Sequence, residues 1–73
     1  MIKQQVKNAL DEYMEQSDES MLCNLYSIVL GEVEKVLLES VMERVNNNQT
    51  QAARILGINR NTLRRKLEKH ELL

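Results

Sequence analysis

Residues 48–67 read NQTQAARILGINRNTLRRKL and contain two short helical patterns on either side of one glycine. The small Ala53 allows two helices to approach at a steep angle. Gly57, four residues later, accepts the positive φ of a tight turn, and Leu63 is placed to pack the second helix back against the first. This combination is typical of a helix-turn-helix unit.

The limits of the two helices follow from their capping residues. Asparagine favours helix caps and left-handed turns, so the polar segment 46–50 is expected to end one helix and to begin the next. The first helix of the unit is predicted from Gln49 to Leu56, with Gly57 at its C-terminal end. Asn59 is expected to cap a last helix that runs from Arg60 to about Lys69.

The helix after the turn has the composition of a DNA-reading helix. In a helix-turn-helix the second helix enters the major groove with its N-terminal residues toward the base edges, while side chains and helix N-termini hold phosphates. The direction of Lys66, between Leu63 and Leu67, stays open. The alternative for the whole unit is a basic helical hairpin that only faces solvent. The basic and uncharged polar residues of this helix are Arg60, Asn61, Thr62, Arg64, Arg65, Lys66 and Lys69.

The net charge of −1 hides two oppositely charged parts of the chain. Residues 1–43 carry three basic and nine acidic side chains, a balance of −6, whereas residues 44–73 carry seven basic and two acidic ones, a balance of +5. A basic C-terminal part favours a polyanion as partner, because cations near phosphates release condensed counterions. Charge alone fits a solvated charged face equally well.

The segment before the helix-turn-helix, from Leu22 to Val45, is the most apolar of the chain, and its apolar residues lie on more than one side of the predicted helix. Such a helix must be covered on more than one side, so we expect a second copy of the chain to pack on it about a two-fold axis. A central core helix in a monomeric bundle is the alternative. The residues expected at the dimer interface are Leu22, Leu25, Val29, Val33, Val36, Leu37 and Val41.

The N-terminal part adds one more helix. Apolar residues between Ile2 and Met14 form one stripe of an amphipathic helix of about four turns. The polar segment 16–20 predicts a loop, and the next helix is expected to begin at Ser20 or Asn24, both acceptable N-caps. The expected fold class is therefore all-α with four helices in a single domain, 1–73. Residues 1–46 are expected to form the dimerisation helices and residues 47–73 the helix-turn-helix.

The small size of the chain supports an oligomer. A core formed by 73 residues rarely supplies more than about 3–5 kcal/mol, so a disulfide, a metal or a partner copy is usually needed. Cys23 and His70 are the only residues of their kinds, so neither a disulfide within the chain nor a zinc site is expected. Of these three sources of stability, a second copy of the chain is the one that the sequence leaves open.

Other classes of function find little support in the sequence. No phosphate-binding loop or paired-ligand motif is present, so we expect no enzyme, no cofactor and no metal site. Cys23 is interpreted as a packing residue, and the acidic residues Glu32, Glu34 and Glu39 as a solvated helix face. No apolar run is long enough for a membrane span, so no membrane association is expected.

The sequence also resembles a known family. Residues 48–67 look like the helix-turn-helix of the Fis family (factor for inversion stimulation), and Leu25-Tyr26 and residues 33–38 resemble the Fis dimerisation helix. The same C-terminal motif ends many NtrC-type enhancer-binding activators, so the C-terminal DNA-binding and dimerisation domain of such an activator is the alternative. The Fis resemblance implies a homodimer whose recognition helices enter successive major grooves of bent double-stranded DNA, in nucleoid organisation and transcriptional regulation.

The resemblance also implies roles for individual residues. It makes Asn59 and Arg60 the readers of base edges, which agrees with the ability of an arginine to bind guanine through two hydrogen bonds. Thr50, at the start of the preceding helix, can bind a phosphate beside backbone N–H groups. The full set of DNA-binding candidates is Asn48, Gln49, Thr50, Asn59, Arg60, Thr62, Arg64, Arg65, Lys66 and Lys69.

Some residues depart from the Fis pattern. Fis proteins commonly begin with a β-hairpin arm that contacts a recombinase, and this chain starts almost at its first helix, so recombinase contact is not expected. Asn47 and Glu71 stand where glycine is usual in the family. RNA polymerase stays open as a further partner, and the expected location is the nucleoid of a bacterial cytoplasm.

Overall fold

The computed structural model describes the backbone of residues 1–73 and every side chain except that of Met21. The chain forms four α-helices: α1 (Lys3–Glu15), α2 (Leu25–Arg44), α3 (Gln49–Leu56) and α4 (Arg60–Lys69). A 3-10 helix, Glu19–Leu22, lies between the first two. The described backbone contains no strand, so the all-α fold class expected from the sequence is confirmed.

The helix boundaries agree closely with the capping signals of the sequence. α2 has Asn24 as its N-cap residue, the second of the two predicted starts. The first, Ser20, lies instead in the 3-10 helix. α3 and α4 begin and end where the sequence predicted, because an asparagine caps each N-terminus and Gly57 separates them.

The hydrophobic core lies between the C-terminal half of α2 and the two short helices. Leu63 is completely buried, so its predicted role in packing α4 against the rest of the unit is confirmed. The small Ala52 and Ala53 are buried beside it and let α3 approach closely. The buried residues of this core are Leu38, Val41, Met42, Val45, Ala52, Ala53, Leu63 and Leu67.

Left-handed residues end the last three helices: Asn46 after α2, Gly57 after α3 and Glu71 after α4, with φ angles of 52°, 71° and 57°. The backbone N–H that follows each of them donates to a carbonyl five residues back, over 2.8 to 3.1 Å. This Schellman arrangement pairs carbonyls that a helix end would otherwise leave without a donor. At Gly57 it turns the chain from α3 into α4.

Residues before Leu38 lie outside this core. None of the described side chains of residues 1–37 is buried. α1 lies beside the N-terminal half of α2, where Val6 and Tyr13 line an open groove together with Ile28 and Val29. None of the helices in the described chain combines the length and the apolar character that a membrane span needs.

Candidate nucleic-acid interface

The two helices of the helix-turn-helix each begin at a capping asparagine. Oδ1 of Asn48 accepts a hydrogen bond from the backbone N–H of Gln51 at 3.1 Å, and Oδ1 of Asn59 accepts one from Asn61 at 2.7 Å. The amide nitrogen of each cap remains able to donate to another partner. Helix N-termini also favour anions, because their first N–H groups lack helical acceptors and the peptide dipoles are aligned.

Arg60 joins the first turns of α3 and α4. Its Nη1 donates to Oγ1 of Thr50 at 3.4 Å, and both side chains are exposed. This contact places the candidate base reader Arg60 beside the candidate phosphate ligand Thr50, although ten residues separate them in sequence. Two of the predicted site residues, Thr50 and Arg60, therefore meet on one surface.

The basic face continues along α4. Arg64, Arg65 and Lys69 are exposed, and Thr62 is half-buried, as is Gln49 on α3. Nε of Arg64 lies 3.6 Å from Oε1 of Glu68, one turn away on the same helix. Exposed pairs of this kind contribute little to stability, so the guanidinium remains available to a stronger partner.

Lys66 is turned away from this face. Its Nζ donates to Oε2 of Glu34 on α2 at 2.7 Å. At about 100° of rotation per residue, Lys66 and Arg64 lie on nearly opposite sides of α4. The structure thus shows the direction that the sequence left open: the Lys66 side chain faces Glu34 on α2, on the side of α4 opposite to Arg64.

Glu34 has two further basic neighbours. His70 Nε2 lies 2.8 Å from Oε1 of Glu34, and Lys69 Nζ lies 3.8 Å from the same oxygen. The interpretation of Glu34 as part of a solvated face is therefore wrong, whereas Glu32 and Glu39 are exposed. Sequence reasoning missed this cluster because its members are 32 to 36 residues apart.

The cluster keeps Glu34 ionised. The hydrogen bond from Lys66, followed by the one with His70, lowers the pKa of Glu34 from 4.5 to about 2. Partial burial acts in the opposite direction, because it disfavours the charged carboxylate. At neutral pH the carboxylate therefore compensates the positive charge on the side of α4 that faces α2. The positive charge on the opposite side of α4 is not compensated by Glu34.

The residues predicted at a dimer interface fall into three groups. Val33, Val36 and Leu37 are exposed, at 49%, 58% and 49% of their full surface. Together with Ile2 they line an open apolar groove. Leu22, Leu25 and Val29 are half-buried. Val41 is buried in the core of its own chain, so it offers little surface to a second copy.

Other candidate chemistry is not assembled by the fold. Among the described residues, no group of three or more His, Cys, Asp or Glu side chains is placed to hold a metal ion. Cys23 is exposed and lies between the 3-10 helix and α2, so its interpretation as a packing residue is wrong for the single chain.

A buried core built around two short helices, with a basic exposed face on the second, defines the chain as a small helix-turn-helix protein. Residues 29–70 match the family described as bacterial regulatory protein, Fis family. The chain therefore belongs to the Fis family, and the resemblance seen in the sequence is confirmed.

Individual relatives match almost the whole chain. The sequence is 49% identical over 72 residues to a protein of Ralstonia nicotianae that is named as a Fis-like DNA-binding protein. This match covers 99% of the present chain and 94% of the relative. It is 46% and 48% identical over 69 residues to the proteins named DNA-binding protein Fis of Histophilus somni and Pasteurella multocida. Each of these two matches covers 94% of this chain and 70% of the relative.

Proposed function

We propose that this protein is a homodimeric DNA-binding regulator that places its two α4 helices in successive major grooves of double-stranded DNA and bends the duplex. Residues 47–73 serve as the DNA-binding unit and residues 1–46 as the dimerisation part. The protein acts without catalysis or a cofactor, on the nucleoid of a bacterial cytoplasm. The names of its relatives, one of which is matched over 94% of its own length, favour this function over the end of an NtrC-type activator.

The observation that carries the DNA-binding proposal is the surface shared by the N-termini of α3 and α4. Arg60 lies in the first turn of α4 and is exposed beside Thr50. That is the position from which a recognition helix reaches base edges, and an arginine there can bind guanine O6 and N7 together. Arg64, Arg65 and Lys69 extend the same helix with exposed positive charge, which suits the flanking phosphates.

The surface of the single chain supports the dimer. Its accessible area is 6099 Å², whereas the usual scaling gives about 4,700 Å² for a compact monomer of its mass. Its radius of gyration is 14.5 Å, compared with about 11 Å for a compact domain of this length. The excess area is larger than the roughly 800 Å² that each partner buries in a standard interface.

The exposed apolar residues of α2 supply a place for this second copy. Val33, Val36 and Leu37 lie next to one another on the helix and are each about half exposed. A contiguous apolar surface of this kind commonly marks an interface. Pairing two chains through α2 about a two-fold axis would place one basic helix-turn-helix at each end of the dimer.

DNA binding is tested with labelled duplexes in a fluorescence anisotropy titration at increasing salt. We expect binding that weakens steeply between about 50 and 200 mM salt, because phosphate contacts release counterions. Arg60→Ala should lower the affinity for a site selected from a random pool by about 10- to 100-fold and relax the base preference. Arg54→Ala removes the same charge from an exposed position of α3 outside the predicted site and should change the affinity much less.

Two results would overturn the DNA-binding proposal: absence of binding to any duplex at low salt, or equal effects of Arg60→Ala and Arg54→Ala. The dimer is tested separately by sedimentation equilibrium at micromolar concentration, where folding and association should be linked. A stably folded monomer would contradict it. Gel mobility of circularly permuted duplexes tests bending, and mobility independent of the position of the site would exclude it.

A further inference from the structure

Glu34 is the meeting point of α2 and the C-terminal end of α4. Both of its carboxylate oxygens are engaged, Oε2 by Lys66 at 2.7 Å and Oε1 by His70 at 2.8 Å. Residues 66 and 70 are one turn apart on a helix, so their side chains lie on the same side of α4. Among the described side chains, these are the hydrogen bonds that connect the helix-turn-helix to the N-terminal part of the chain.

This cluster differs from the other ion pairs of the chain. The side chains of Glu34, Lys66 and His70 are 25%, 34% and 11% exposed. The pair Lys7–Asp11 is local and largely exposed, as is the Arg64–Glu68 pair. Charge-assisted hydrogen bonds that are partly withdrawn from water are stronger than such surface pairs. The lowered pKa of Glu34 is consistent with a strong local interaction.

Apolar packing holds α4 in the core without any directional bond to α2. Leu63 and Leu67 are buried and hold α4 in the core, but apolar contacts are not directional. A carboxylate bound at both oxygens from one side of α4 adds a directional restraint on its rotation and tilt relative to α2. α2 carries the surface proposed for dimerisation. A fixed orientation of α4 on α2 therefore also fixes the distance between the two α4 helices of the proposed dimer.

We propose that Glu34 is a positioning residue of the DNA interface, which holds α4 at a fixed orientation on α2 through Lys66 and His70. Lys66 is its tether and makes no phosphate contact. This inference rests on the proposed DNA-binding function. Lys69, 66% exposed and 3.8 Å from the carboxylate, is only loosely attached and remains a phosphate contact.

The salt dependence of DNA binding separates a tether from a phosphate contact. Lys69→Gln should lower the slope of log affinity against log salt by about 1.8 for a dimer, which loses two contacts. Lys66→Gln removes the same charge three residues away and should leave that slope unchanged. If Lys66→Gln lowers the slope as much as Lys69→Gln, Lys66 contacts DNA and the proposal is overturned.

Positioning is read from the preference for half-site spacing. Duplexes carrying two selected half-sites at spacings around one helical turn, about 10–10.5 base pairs, are compared for each protein. Glu34→Gln should flatten the dependence of affinity on spacing and lower the ratio of specific to mixed-sequence binding by about tenfold. Glu39→Gln makes the same charge change on the same helix at an exposed position and should leave both unchanged. Equal effects of the two variants would indicate a general charge effect and would contradict positioning.

A measurement without DNA distinguishes a failure of this inference from a failure of the proposed function. Glu34→Gln and Lys66→Gln should each lower the urea midpoint, and the double variant should lower it no further than the more severe single variant. If the two single shifts of the urea midpoint add up in the double variant, Glu34 and Lys66 are not coupled, and the proposed role of Lys66 is overturned even if the protein binds DNA. If the wild-type chain binds no duplex, the DNA-binding proposal fails, and the positioning role fails with it. The same cycle then shows whether Glu34 and Lys66 are coupled in the free protein.

Discussion

Residues 1–37 and residues 38–72 are both rich in apolar side chains, but among the side chains that the structure describes only those of the second region are buried. The contrast is sharpest where the regions meet on α2. Val36 and Leu37 are 58% and 49% exposed, whereas the next residue, Leu38, is 2% exposed. The difference does not come from residue type. It comes from α3 and α4, which pack on one face of α2 between Leu38 and Val45, whereas Val36 and Leu37 lie outside that face and α1 leaves an open groove nearer the start of the helix.

This comparison shows that one chain can complete only part of its own core. The helix-turn-helix finds its partner surface within the same molecule, on residues Leu38 to Val45 of the preceding segment. The N-terminal region covers its apolar side chains only in part and leaves several of them exposed on α2. Under the proposed function, the apolar surface of residues 1–37 is covered by association with a second copy, whereas that of residues 38–72 is covered by packing within the chain. Substitutions in the first region should therefore change dimerisation, and those in the second should change the free energy of unfolding.

The largest effect is expected in the packed region. Leu63→Ala removes a completely buried side chain and should lower the free energy of unfolding by about 2–5 kcal/mol, measured by urea denaturation. Ile55→Ala, at an exposed position of α3, should cost less than about 1 kcal/mol. Equal losses at the two positions would mean that the core is not where the structure places it.

The next largest effect tests the exposed region. Val36→Glu places a charge in the surface proposed to be covered by a second copy, and an unpaired charge there should weaken dimerisation by about 30- to 100-fold or more. Sedimentation equilibrium measures the change. Lys35→Glu introduces the same side chain at the neighbouring exposed position and serves as control. Unchanged association of the Val36 variant would remove this face of α2 from the interface.

Glu34 connects the two regions and gives a smaller, pH-dependent effect. Its pKa is lowered from 4.5 to about 2 in the folded chain, so its stabilising contribution is complete above about pH 4.5 and is lost as the pH falls toward 2. The difference in unfolding free energy between wild type and Glu34→Gln should be on the order of 1–2 kcal/mol at neutral pH and should vanish near pH 2. A difference that stays constant from pH 6 to pH 2 would contradict the ion pair.

The smallest effects concern the left-handed helix ends of the packed region. Gly57 has a φ of 71°, and a Cβ added there would meet no other atom within 4 Å, so Gly57→Ala should cost only the backbone strain, about 1 kcal/mol. Glu71 has a φ of 57°, and Glu71→Gly should relieve similar strain, offset by the chain entropy of glycine, for a gain of about 0.5 kcal/mol. Thermal denaturation measures both. Changes of the same sign at the two positions would contradict this account.

Much of the helix-turn-helix could be predicted from the sequence because its signals are local. Asn48, Asn59 and Gly57 set the ends of α3 and α4 within a few residues of themselves, and the structure confirms each boundary. The 3-10 helix Glu19–Leu22 was not predicted, because the polar residues around it favour turns and caps without selecting one. Among the candidate DNA-binding residues, the sequence could place Arg60 at the start of a helix but could not orient Lys66.

By itself, the sequence determined the all-α fold class, the turn at Gly57 and the basic composition of α4, since helix periodicity and capping act over three to five residues. Only the tertiary structure decided which half of α2 is covered, which side of α4 is compensated by charge, and that Glu34 joins Lys66 and His70. These outcomes depend on pairs that are far apart in the sequence, such as the hydrogen bonds of Glu34, whose partners lie 32 and 36 residues away. Such pairs meet because buried apolar side chains bring the helices together, which no local pattern encodes.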